Sequence, residues 1–187
     1  MCGEALFDVG GAASFLGMWI AMMAAMMLPS LLPTLQRCRS TLGGGAAALV
    51  GAGYFCVWSA IGLAVFPLVA IGRNAPAAAG LVVLAAGALQ FTKWKARRLG
   101  CCRASALPLS ADAGRAWRHG LRLGFDCVLC CANLTAVLLV LGVMDLAAMA
   151  LVTAAITLER LAPAGERVAR AIGGVIVGVG LVLTAVA

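Results

Sequence analysis

Residues 126 to 135 read DCVLCCANLT, placing three cysteines at positions i, i+3 and i+4. Each residue turns about 100° around an α-helix, so Cys127, Cys130 and Cys131 fall within roughly 100° of arc. They make one stripe of sulfur, bordered by Asp126 and Asn133. A second stripe of soft atoms lies in MWIAMMAAMML at 18–28, where Met18, Met22 and Met26 are four apart, as are Met23 and Met27. Thiolates with thioethers, in a chain with one histidine and few carboxylates, form a donor set that selects monovalent copper first and zinc second. The expected site is Cu(I) held by Cys127, Cys130 and Cys131 with help from Met22 and Met26, and with Asp126, Asn133 and Cys102 around it. Two other uses of these atoms stand beside that one. Cysteine and methionine also serve as apolar packing, and the CxxC at 127 to 130 is formally a pair for thiol–disulfide exchange. Neighbouring cysteines on one helix are poorly placed to bridge each other, so a disulfide framework is not expected.

The elements that carry these stripes belong in lipid. Of 187 residues, 64% are hydrophobic and 11% charged, and the mean hydropathy is +1.06. A soluble core could not absorb that much apolar surface in so short a chain. No P-loop or dinucleotide glycine motif is present, so nucleotide chemistry lacks support, and no catalytic residue is expected. The first apolar stretch lacks a basic flank, so it is expected to stay in the mature chain. The fold expected is an all-α polytopic bundle in a single transmembrane domain. Its six membrane-crossing helices lie at about 12–34, 46–71, 76–92, 119–141, 144–160 and 167–187. Pro29, Pro33, Pro67 and Pro76 are read as lying near helix ends.

With six crossings, thirteen of the fourteen Lys and Arg residues fall on one side, Arg73 being the exception. That asymmetry places the loops bearing them in the cytoplasm and both termini in the periplasm. The formal charge of +7 is thereby explained without nucleic acid. The loop at 93–118, beginning KWKARRLGCCR, reads as a basic collar facing lipid phosphates. Arg122 is the expected partner of Asp126, and Asp145 and Glu159 read as helix-end residues. Gly174 and Gly178 have the small-xxx-small spacing of close helix packing, within the chain or between copies.

The landmarks Trp19 with AMMAAMMLPS, GYFCVW at 53–58, Gln90, Thr92, Lys95, Cys102, Arg103, Gly120, Gly124, CVLCC, GVMDL, Met149 and Glu159 with LAPAG resemble, in order, a bacterial family of integral membrane proteins. That family is described as predicted metal-binding, with a domain of unknown function. The resemblance implies a multi-pass protein of the bacterial inner membrane. The chain departs from the family at Arg98, Leu123, Leu129 and Ala132, where a cysteine, a histidine, a glycine and a tryptophan are usual, and at Asp126, where an aromatic is. The leading expectation is a non-enzymatic metal handler that stores, delivers or translocates Cu(I). The main alternative is an auxiliary subunit packed into a larger membrane complex or a homo-oligomer, and the second is a membrane thiol oxidoreductase.

Overall fold

In a bilayer, backbone amides have no water to turn to, so apolar runs must satisfy them internally as helices. The computed structural model describes residues 9–72, 76–103, 112–142 and 145–186, and every apolar run in them is helical. The order is α1 (Val9–Leu42), α2 (Gly44–Gly72), α3 (Pro76–Leu89), α4 (Lys93–Arg103), α5 (Ala113–Leu141), α6 (Leu146–Leu161) and α7 (Gly165–Val186).

Four of these, α1, α2, α5 and α7, are long and apolar enough to cross a membrane. The other two expected crossings are shorter. With 14 residues in α3 and 16 in α6, they span about 21 and 24 Å, less than a hydrocarbon core of about 30 Å. Neither six crossings nor periplasmic termini are therefore supported. What shortens α3 is a tight turn, in which the amides of Gln90, Phe91 and Thr92 donate to the carbonyls of Gly87, Ala88 and Leu89. At α6, Asp145 caps the start by accepting from the amides of Ala147 and Ala148, and Ala162 closes the end before Pro163.

Several other expectations change. The loop at 93–118 contains α4 and the first turns of α5. Pro29 and Pro33 lie inside α1 and Pro67 inside α2, while Pro76 opens α3. The first turn of a helix has no intrahelical use for a proline's missing amide hydrogen, so only Pro76 stands where the residue costs nothing. Arg73 and the cysteines at 2, 101 and 102 fall where no side chain is described.

The chain divides into two compact units. In the first, α1, α2 and the opening turns of α5 pack through small residues. A side chain on Gly62 would collide with the ring of Trp19, whose Nε1 donates to Trp58 O at 2.9 Å. Gly120 presses on the backbone of Val50, and Gly53 on that of Trp117. The second unit comprises α3, α4, α6, α7 and α5 from Asp126 onward. Here Gly80 and Gly87 of α3 meet Thr184 and Val177 of α7, and Gly173 and Gly180 of α7 meet Gln90 and Leu84. Gly174 and Gly178, the pair with the packing signature, face open space, so the close approach uses a neighbouring register of the same helix.

Candidate metal centre

The sulfur stripe of α5 points inward. Cys127, Cys130 and Cys131 are 0%, 1% and 2% exposed, and the stripe continues through Leu134, Val137 and Leu138. Cys127 Sγ and Cys131 Sγ stand 3.9 Å apart. Metal–thiolate bonds are about 2.3 Å long, so two sulfurs at that separation can share one ion. Among the described residues, no group of three or more His, Cys, Asp or Glu side chains is gathered in a ready-made metal cage, and the preformed element is this pair. The described cysteines, including buried Cys38 and exposed Cys56, are all free thiols.

Beside the sulfurs lies a buried polar network. It begins at Thr92, which caps α4 by accepting from Lys95 N with its Oγ1 at 3.3 Å and from Ala96 N with its carbonyl. That start holds Lys95 at 1% exposure, with Nζ 2.8 Å from Glu159 Oε2. The same ammonium donates to Cys130 O at 2.6 Å and to Asn133 Oδ1 at 3.3 Å. Gln90 Nε2 donates to the other carboxylate oxygen of Glu159 at 2.6 Å, and Asn133 Nδ2 donates to Ala86 O at 3.3 Å. One residue beyond Glu159, the Arg160 guanidinium donates to Cys127 Sγ at 3.2 Å. A cation at this distance offsets negative charge on sulfur, in an interior where little else can.

Of the eight residues expected at the site, Cys127, Cys130, Cys131 and Asn133 share this buried face of α5. Asp126 lies at its edge, one third exposed, 3.8 Å from Arg98 Nη1, which also stacks over Trp94. Met22 and Met26 are buried in the first unit, while Met18 is exposed. The side chain of Cys102 lies outside the described residues. Lys95, Glu159, Gln90 and Arg160 were not expected at the site. Lys95 and Arg160 had been counted as loop charges and Glu159 as a helix end, yet all three are nine-tenths or more buried. The signal that could have found them was the recurrence of Gln90, Thr92, Lys95 and Glu159 among the shared landmarks.

A family model described as PpoB2, copper chaperone, matches residues 16–183. No curated protein matches the chain. No solved structure matches it.

Proposed function

Because this chain belongs to the PpoB2 copper chaperone family, we propose that it carries Cu(I) as cargo on Cys127, Cys130 and Cys131. It does so as a multi-pass protein of a bacterial inner membrane, with lipid as its surroundings, and it stores or delivers the ion rather than catalysing a reaction. Copper is the preferred ion and zinc the second, because the donors are soft and sulfur-rich. The observation that carries the reading is the buried thiol face with Arg160 donating to Cys127 Sγ. Cu(I) held by three thiolates has a net charge of −2, and the guanidinium beside Cys127 offsets part of that charge where a bare anion is costly. Lys95 and Glu159 hold the helix that bears the thiols, Lys95 through Cys130 O. Met22 and Met26 are soft donors by chemistry alone, and substitution tests whether they take any part.

The test is the copper content of protein purified in detergent under reducing conditions. Wild type is expected to retain about one Cu(I) per chain, and the Cys127→Ala, Cys130→Ala, Cys131→Ala triple variant none. Met22→Leu with Met26→Leu is expected to lower retention only in the presence of a competing chelator. Equal copper in wild type and triple variant, with the variant still functional in cells, would return the reading to an auxiliary packing subunit.

A further inference from the structure

At the basic end of the second unit, a cleft of about 330 Å³ opens between α4 and the start of α7. Its volume lies at the lower end of the range for small-ligand pockets. Lys93 and Arg97 line it from α4, spaced four apart on one helix face. Arg170 and Glu166, also four apart, line it from α7. Three cations beyond Lys95 therefore meet a single carboxylate, which is the electrostatics of an anion site.

A second observation comes from Gln90, which also lines the cleft and is only 3% exposed. Its amide orientation is set by Glu159, since a carboxylate oxygen accepts and so takes the Nε2 hydrogen. This leaves Gln90 Oε1 buried and without a hydrogen-bond partner among the described residues. A buried acceptor left bare is costly, and the group that satisfies it must bring an N–H or O–H. Exposed Phe91 lies at the same cleft, and on the adjoining helix turn stands exposed Trp94, an aromatic of the kind that sits at headgroup level.

We propose that this cleft binds a phosphate ester that also carries a hydroxyl or amine donor. The phosphate lies among Lys93, Arg97 and Arg170, and the donor reaches Gln90 Oε1 or Glu166. Two sources supply that chemistry, the headgroup of a phospholipid and a soluble phosphate ester.

The full chain, delipidated in detergent, is titrated by native mass spectrometry with phosphatidylethanolamine, phosphatidylglycerol and phosphatidylcholine of identical acyl chains. The first two bear a donor and the third does not. Wild type is expected to prefer the donor-bearing lipids by about tenfold, the scale of one or two charge-assisted hydrogen bonds. Arg97→Gln with Arg170→Gln, both at exposed positions and so compatible with the fold, is expected to weaken binding of all three lipids by about tenfold, because each presents its phosphate to these side chains. Glycerophosphoethanolamine, added in excess, distinguishes the sources: displacement of the lipid identifies a soluble ester as a sufficient ligand, and its failure identifies the lipid. Equal binding of all three lipids to wild type, or undiminished affinity for them in the double variant, overturns the proposal.

Discussion

A lysine ammonium has three hydrogens to donate, and at Lys95 three fixed acceptors surround it: Glu159 Oε2, Cys130 O and Asn133 Oδ1. Removing one partner of such a pair leaves a charge buried without its counterion, whereas removing both leaves none. Lys95→Met and Glu159→Gln are therefore each expected to destabilise by about 3–5 kcal/mol, and the double variant by less than the sum. Denaturation in detergent measures the cycle, and additivity would show that the pair is not coupled. At Arg160 the expected effect falls on the cargo. Arg160→Gln leaves Cys127 in place but takes away its charge-assisted donor, so a competing chelator should strip copper at about tenfold lower concentration. The three thiols and Asn133 were legible in the sequence because helical spacing puts them on one face. The network was not, because a charge near a helix end reads the same whether its side chain turns outward to phosphate or inward to a partner 64 residues away, as Lys95 does toward Glu159.

The helices themselves were legible from hydropathy, all six apolar runs being helical, but their lengths were not. Local hydrogen bonding ended α3 at Leu89 and Asp145 fixed the start of α6, and neither event alters the apolar count of the segment. Glycine positions show the same limit. Helix contact was foreseen at Gly174 and Gly178, where a Cβ meets nothing, whereas Gly120 would drive one into the Val50 backbone. A glycine with open surroundings in a helix gains from alanine by about 0.5–1 kcal/mol, and an overpacked contact loses about 1–3 kcal/mol. Gly174→Ala should thus raise thermal stability slightly and Gly120→Ala should lower it. The two melting curves in the same detergent check both signs, and a neutral Gly120→Ala would argue against the α2–α5 approach.

Four helices able to cross a bilayer account for membrane association, yet the charge asymmetry was counted over six. If the short helices also traverse, reporters fused at Gly43, Asp112 and Ala164 should all report the cytoplasm, and one at Gly142 the periplasm. If α3 does not, Gly43 and Asp112 should report opposite faces. Fusion reporters in intact cells decide between the two. Whatever the number of crossings, the hold that Lys95 keeps on Cys130 restricts how an ion could leave. Swivelling α5 to turn its sulfurs outward would carry the Cys130 carbonyl and Asn133 away from an ammonium bolted to Glu159, costing that buried cation two of its three acceptors. On the proposed function, departure of the metal would therefore fall to sulfur-for-sulfur exchange with an incoming ligand, while the helix itself stays still.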